Sequence, residues 1–595
     1  MTPKEALHTY FGYDDFRPLQ EEIIVSVLSG KDTLALMPTG GGKSICFQVP
    51  TLVKGNADPE KRLCLVITPL IALMRDQVAN LQARGIHAAA VYTGMSWDKQ
   101  RVALDNCLYG PYHFLYCSPE RLESEEFRKR LADLPIGLIA VDEAHCISQW
   151  GYDFRPSYLN IAAIRELLPD VPVLALTATA TPETIDDIQA KLGFKEQNVL
   201  RKSFHRENLV YVVRRTNNKA EQVAHILSKV PGSAIIYVRN RKRAQELAQW
   251  LNEQINDPYG EADRSNRKEM VNGQMVNYYH AGLTTSERNE RQEAWTRGET
   301  RVIVATNAFG MGIDKPDVRV VIHYDLPSHL ESYYQEAGRA GRDGQTAYAV
   351  LLYNEAEDKA KLKKRAVDSF PPKEFVESVY HRTMDFLQVG AGSGLGHRFT
   401  LHIDQLCHVM KLPVIQTYSA LHILTQAGYI DFEEEHETQP RVQIHVPRHQ
   451  LGEYNLSFEQ AELLDMLMRT YTGIYTDLQY VREADQISNV KSQMSNHEIL
   501  VSLAQRGIIT YIPRSVGCSL TMTSERQTEI YLSPAIFEER QARFVSKLQA
   551  MLEYADQTQF CREQVLLSYF GEKNAAPCGH CDVCRELERI ILQPM

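Results

Sequence analysis

Pro38-Thr39-Gly40-Gly41-Gly42-Lys43-Ser44 follows directly on an apolar run, Thr33 to Met37, and leads into Ile45 to Val49. The first run predicts a buried strand and the second the opening of a helix. A strand, a glycine turn and a helix start bring several backbone N–H groups and a helix N-terminus around one anion. Lys43 is then expected to reach the β- and γ-phosphates of a nucleotide, and the Ser44 hydroxyl to hold Mg²⁺, with Thr39, Gly40, Gly41 and Gly42 as the cradle. The strict motif has glycine where this chain has Met37, so the turn alone is equally compatible with a tight bend and nothing more. A second segment decides. Leu138-Ile139-Ala140-Val141 is another strand-like run, and it ends in Asp142-Glu143-Ala144-His145. Two carboxylates at a strand end are usually a solvated turn. Roughly a hundred residues after a phosphate loop, they fit an acid that orders Mg²⁺ (Asp142) and a neighbour that activates the attacking water (Glu143). Hydrolysis of a nucleoside triphosphate is the expected chemistry.

The 595 residues are too many for one hydrophobic core, so several domains are expected. Hydrophobic content of 44% and charged content of 24% are those of an ordinary soluble protein. No stretch approaches the roughly 18 apolar residues of a membrane span, and Met1-Thr2-Pro3-Lys4-Glu5 lacks signal-peptide character. An intracellular chain without membrane partners is expected. Net charge is −10 and the pI about 6.1, so nucleic-acid binding requires local basic and aromatic patches.

Residues 1–205 alternate apolar runs such as Leu63–Ile67, Phe114–Cys117 and Val173–Leu176 with helical stretches. That order predicts a parallel sheet wrapped by helices. A second set, Leu209–Val213, Ala234–Val238, Arg301–Ala305 and Arg319–Ile322, predicts a second such lobe over 206–370. Residues 254–276 are polar and aperiodic and read as a surface insertion, and Gly390–Gly396 as a flexible joint. In the second lobe, Gln335-Glu336-Ala337-Gly338-Arg339-Ala340-Gly341-Arg342 carries two arginines three apart, on one face of a helical turn. Alone they are a surface pair. Opposite a phosphate loop on another lobe, one of them can neutralise charge developing on the γ-phosphate.

Together these segments resemble a superfamily-two helicase core, and specifically the RecQ family of DNA helicases. The resemblance covers about the first 350 residues, with two tandem RecA-like parallel-sheet lobes as the implied α/β fold. Phe11-Gly12-Tyr13-Asp14-Asp15-Phe16-Arg17-Pro18-Leu19-Gln20 matches the leading adenine-recognition motif. It implies Gln20 as the base reader, with Phe16, Arg17 and Gln335 also at the nucleotide. Thr68–Met74 and Ser118–Arg121 match strand-contacting motifs, Thr177–Thr181 the motif linking ATP state to DNA, and Ala305–Lys315 the fifth motif. The match implies Arg342 as the arginine finger with Arg339 supporting it. ATP and Mg²⁺ are the implied cofactors, and single-stranded and duplex DNA the implied partners. The implied activity is 3′-to-5′ translocation and unwinding in recombination and repair, in a bacterial-type cytoplasm at the nucleoid. The alternative is an ATP-switched DNA-binding or regulatory protein that has lost processive unwinding.

The most family-specific segment is Cys146-Ile147-Ser148-Gln149-Trp150-Gly151-Tyr152-Asp153-Phe154-Arg155-Pro156. Aromatics at alternate positions can be a strand's buried face, but Gly151 and Pro156 favour a loop. Exposed aromatics beside Arg155 make a stacking platform for unpaired bases, worth about 1–3 kcal/mol per base. The resemblance implies that His145, Trp150, Tyr152, Phe154 and Arg155 couple DNA to the ATPase site.

Cys561, Cys578, Cys581 and Cys584 are four clustered thiols, which points to a metal: structural Zn²⁺, or an iron–sulfur cluster as the alternative. The flanking sequence resembles the RecQ zinc module, which implies zinc and a helical module over 536–595. The family usually places this module straight after the core and a winged helix after that. With eleven residues beyond Cys584, the terminal winged helix and the accessory helical domain are expected to be missing. Residues 371–455 are read instead as a winged-helix-like α+β domain placed upstream, with Ile403–Met410 and Val414–Ala427 as helices and Tyr429–Phe432 paired to Arg441–Val446 as a hairpin. Leu500–Ile509 echoes Leu421–Ile430, so a second copy is expected over 456–535. Glu433, Glu434 and Glu435 in the wing oppose DNA phosphates, and protein docking or plain packing is as good a reading of this region as duplex binding.

Overall fold

Parallel strands covered on both faces lose the in–out alternation of a half-exposed sheet and become continuous apolar runs. That is the pattern of the first 350 residues. The computed structural model describes residues 1–595 except 39, 93–94, 96, 152, 257–275, 311–314, 439, 472, 476–478, 482–495, 513–514 and 587–595. The expected insertion at 254–276 therefore lies almost wholly outside the described residues, as do Thr39, Tyr152 and part of the fifth motif. The chain divides into two compact units, Met1–Leu362 with Val545–Met595, and Lys363–Phe544.

In the first unit, β1 (Thr33–Leu36), β2 (Leu63–Ile67), β3 (Ala88–Val91), β4 (Phe114–Cys117), β5 (Ile136–Val141), β6 (Val173–Thr177) and β7 (Val199–Arg201) form one sheet in the order β3-β4-β2-β5-β6-β1-β7. Every pairing is parallel. β1, β2, β4, β5 and β6 are buried along their whole length. Because β1, β6 and β5 are neighbours, the phosphate loop, Thr177 and Asp142–Glu143 all emerge along one carboxyl edge. That is where ligands bind in open α/β sheets.

The second lobe repeats the design. β8 (Leu209–Arg215), β9 (Ser233–Tyr237), β10 (Val276–Tyr279), β11 (Val302–Ala305), β12 (Val318–His323) and β13 (Ala347–Tyr353) run parallel in the order β10-β11-β9-β12-β13-β8. The helix Leu330–Ala337 follows β12 and leads directly into Arg339.

The cysteine-bearing tail belongs to the same unit and is fastened to the lobes by polar and aromatic contacts. Glu572 accepts from Phe204 N and Ser203 Oγ at 2.7 Å each. Glu563 accepts from Arg206 N at 2.9 Å, and Asp582 from Val213 N at 3.1 Å. Phe570 stacks on Phe204 with ring centroids 4.7 Å apart.

The second unit departs from the expected hairpin. Ile430 and Phe432 of β15 (Ile430–Thr438) pair with Met522 and Leu520 of β19 (Ser515–Met522), on whose other side lies β14 (Arg398–Leu401). Arg441–Ile444, as β16, pairs instead with β17 (Gln479–Tyr480) and β18 (Ile509–Ile512). The two strands are drawn apart by their inward faces. Ile430, Phe432 and Leu520 enter a core with Leu421 and Leu424, whereas Val442 and Ile444 enter a separate one with Leu464, Leu503 and Ile509. Two winged-helix-like folds therefore do not follow one another at 371–455 and 456–535. The second, with helices Phe458–Thr470 and Asn496–Gln505, is inserted between the two wing strands of the first.

Gly390–Gly396 is likewise not a free joint. Gly392 N donates to Arg526 O at 2.9 Å, Gly396 N to Met522 O at 2.8 Å, and Arg526 N to Ser393 O at 2.8 Å. These bonds fix the glycine segment against the strand end, and the division between units falls earlier, at Leu362.

Candidate active site

The phosphate loop is stitched to the segment before it. Gln20 Nε2 donates to Gly42 O at 3.0 Å while its Oε1 accepts from Arg17 N at 2.9 Å, and Arg17 Nη1 donates to Gly40 O at 2.7 Å. Gly42 has φ +78°, and a Cβ there would lie 2.4 Å from Gln20 Nε2. Only glycine meets both demands. Lys43 Nζ lies 3.8 Å from Glu143 Oε1. Glu143 has φ +47°, in the left-handed region that a residue with a side chain enters at a cost of about 1–3 kcal/mol. Its Oε2 lies 3.4 Å from His145 Nδ1, and that nitrogen lies 2.9 Å from Thr177 Oγ1. Asp142 Oδ1 accepts from Glu143 N at 3.0 Å. Burial and the neighbouring Glu143 push the Asp142 carboxyl up to about 6, against the pull of Lys43. Burial pushes His145 down to about 4, so the imidazole is neutral near pH 7.

A cleft of about 630 Å³ is lined by Arg17, Gln20, Gly40, Gly42, Lys43, Ser44, Asp142 and Glu143 from one lobe, and by Gln335, Arg339 and Arg342 from the other. The Arg342 side chain passes over the phosphate loop: a Cβ on Gly40 would lie 3.4 Å from Arg342 Cγ. The predicted residues thus converge with two departures. Phe16 packs against the core of the first lobe rather than lining the cleft, and Gly41 sits behind the lining, with Pro38 O where its Cβ would go. Unforeseen lining comes from Tyr13, Gln77, Asn80 and Arg84. Gln77 and Asn80 lie on the helix Ile71–Ala83, and Arg84 immediately follows it. Their spacings of three and four were the only available signal.

A short 3₁₀ turn, Ala144–Ile147, follows Glu143, and the described residues from Ser148 to Arg155 form a loop. Arg155 N donates to Cys146 O at 2.9 Å and Trp150 N to Ser148 Oγ at 3.1 Å. A Cβ on Gly151 would come within 2.4 Å of His145 O, so glycine is what lets the loop fold back this closely. Trp150 is left 43% exposed. Arg155 Nη2 pairs with Asp153 Oδ2 at 3.0 Å.

Cys561, Cys578, Cys581 and Cys584 bring their Sγ atoms within 4.8 Å of one another, and Cys561 and Cys581 Sγ are 3.9 Å apart. Zinc–sulfur bonds of about 2.3 Å require tetrahedral sulfurs at about this separation. The donor set fits zinc.

Family models match four stretches: DEAD/DEAH box helicase over 17–188, helicase conserved C-terminal domain over 218–344, RecQ helicase winged-helix domain, Bacteroidota, over 442–513, and RecQ zinc-binding over 524–585. The ATP-dependent DNA helicase RecQ of Bacillus subtilis (strain 168) is 43% identical over 354 residues, covering 59% of this chain and 56% of the relative. That of Pasteurella multocida (strain Pm70) is 41% identical over 357 residues, covering 60% and 53%. This chain belongs to the RecQ family. It spans little more than half the length of those two relatives. A crystal structure of the DUF1998 helicase MrfA bound to DNA shares the fold, with TM-score 0.51 and 18% identity over 61% of this chain and 50% of that one. The RecQ winged-helix match, 442–513, nearly coincides with the insert running from β16 to β18, and the zinc-binding match begins at 524, so strands β14, β15 and β19 of the outer fold lie outside the four matched stretches. Among the described residues no helix is long and apolar enough to cross a membrane.

Proposed function

We propose that this RecQ-family protein is an ATP-dependent DNA helicase that moves 3′ to 5′ on single-stranded DNA and unwinds duplexes in recombination and repair, in the cytoplasm at the nucleoid. The observation that carries this reading is the two-lobed cleft, with Lys43, Asp142 and Glu143 facing Arg339 and Arg342. In it, Lys43 and the N–H groups of the loop hold the phosphates of ATP, and Gln20, Arg17 and Gln335 position the nucleotide. Glu143 takes the proton from the attacking water. Arg342, with Arg339 beside it, neutralises charge on the γ-phosphate only while the lobes are closed, so that turnover becomes lobe motion. Two adjacent acids, Glu143 buried and Asp142 half-buried, call for a cation, and Ser44 and Asp142 would hold Mg²⁺, which supplies charge neutralisation between the phosphates. The four cysteines would hold structural zinc.

His145 touches both Glu143 and Thr177, which supports a route from the aromatic loop to the water-activating acid. Trp150→Ala and Phe154→Ala are accordingly expected to lower DNA-stimulated ATP turnover by about tenfold while leaving the basal rate nearly unchanged, the scale of one or two lost base stacks. Parental stimulation in both variants would reduce the loop to ordinary core. The function itself is tested by strand displacement on forked and 3′-tailed duplexes. ATP-dependent release of the displaced strand is expected. DNA-stimulated hydrolysis without release would favour an ATP-switched DNA-binding protein.

A further inference from the structure

Lys547 lies on the helix Glu538–Asp556 and is among neither the residues lining the cleft nor the cysteine cluster. Its ammonium donates to the Trp150 carbonyl at 2.8 Å and pairs with Glu331 Oε1 at 2.9 Å. Trp150 belongs to the aromatic loop of the first lobe. Glu331 stands in the first turn of Leu330–Ala337, the helix of the second lobe that runs into Arg339 and Arg342. One cation on the tail thus touches both lobes. The charge of Lys547 is also felt in both lobes: burial pushes His145 and His329 down to about 4, and Lys547 adds to the push on both.

Attachment of the tail does not require this pair, because Glu563, Glu572, Asp582 and Phe570 already fasten it. The same tail also clamps the arginine helix elsewhere, through Tyr554 against Tyr333 at 5.2 Å and Phe570 against Tyr334 at 5.2 Å. What distinguishes Lys547 is that its two bonds end on different lobes. Glu331 is only 2% exposed, and a carboxylate so far from water is bound to its counter-ion much more tightly than a surface pair would be. Burial pushes its carboxyl up, but Lys547 and His329 outweigh that and hold it below the ordinary range. Any movement of the loop that takes the Trp150 carbonyl with it therefore redistributes the ammonium's bonding, and the arginine helix feels the change through Glu331.

We propose that Lys547 is a positioning residue that ties the state of the aromatic loop to the placement of Arg339 and Arg342. This rests on the helicase reading. Because the bond is to a backbone carbonyl, replacing the Trp150 side chain removes base stacking and leaves the tie in place; replacing Lys547 does the reverse.

The test compares ATP turnover with and without an oligothymidylate for the parent, Lys547→Met, Lys547→Arg, and Lys547→Met combined with Glu331→Gln. Zinc content and thermal midpoint are measured on each. The combined variant removes both buried charges and so leaves no unpaired ion to unfold the junction. Lys547→Met and the combined variant are expected to lose about tenfold in DNA-stimulated kcat, with basal turnover and KM for ATP within about twofold of the parent. Lys547→Arg, which keeps a cation, is expected to recover most of the loss. The inference is overturned if the combined variant, with parental zinc content, keeps parental stimulation, or if basal and stimulated rates fall in parallel. A parent that is not stimulated by DNA at all overturns the helicase reading, and this inference with it.

Discussion

Glu143→Gln is expected to abolish DNA-stimulated ATP hydrolysis, by about 10²- to 10⁴-fold, while ATP still binds. The amide has the carboxylate's shape and so keeps the left-handed backbone at this position and the packing against His145, but it cannot take a proton from water. Lys43→Ala should be equally inactive and should also bind nucleotide more weakly, because Lys43 lies in the phosphate cradle, 3.8 Å from Glu143. Stopped turnover assays read the first effect and equilibrium binding of a fluorescent ATP analogue separates the second. Substantial hydrolysis in either variant would mean that the site is elsewhere.

The second large effect concerns the cysteines. Cys581 is fully buried and its sulfur is one of the four, and zinc binding of this kind contributes about 10–16 kcal/mol to folding. Cys581→Ser is therefore expected to give a poorly soluble or protease-sensitive protein with weakened DNA binding, even though the Lys43 site is chemically untouched. Asp582 and Glu572, which anchor the tail on Val213 and Phe204, would lose their fixed positions along with the metal. Metal analysis of the parent should give about one zinc per chain and no iron; a brown, iron-containing protein would replace zinc by a cluster.

The parallel sheets were legible because their strands are covered on both faces. The runs at Leu63–Ile67 and Phe114–Cys117 match β2 and β4 residue for residue, since no exposed position interrupts them. That Lys43, Asp142 and Glu143 come together was legible for a related reason: loop and acids each sit at the end of such a run, and neighbouring strands bring them together. Pairing within the second unit was not legible. Nothing in the alternation of Ile430–Phe432 says that its partner is Leu520–Met522 rather than Val442–Ile444, which is nearer in sequence and equally apolar. The echo between Leu421–Ile430 and Leu500–Ile509 was informative because both are the same local event. Each helix closes on a glycine, Gly428 or Gly507, whose successor donates back to the helix, Tyr429 N to Leu424 O at 3.1 Å and Ile508 N to Leu503 O at 3.2 Å. The contact of Lys547 with Trp150 spans 397 residues and ends on a backbone oxygen, a contact with no compositional trace.

The inserted winged-helix-like fold imposes an order of assembly. Arg441 and Ile512 face each other across β16 and β18, so the folded insert delivers its two ends side by side and serves the surrounding wing as a tight turn. Before it folds, β15 and β19 are joined by the 76 residues of chain between Thr438 and Ser515. Closing that loop rather than a turn of a few residues costs about 2–3 kcal/mol in chain entropy. The inner fold is therefore expected to form first and the outer wing to follow. Pulse-labelled hydrogen exchange during refolding should protect the amides of β16 and β18 before those of β15 and β19. Damage should also travel in one direction: a cavity at Leu464 would loosen the outer wing, whereas one at Leu520 would leave the insert standing.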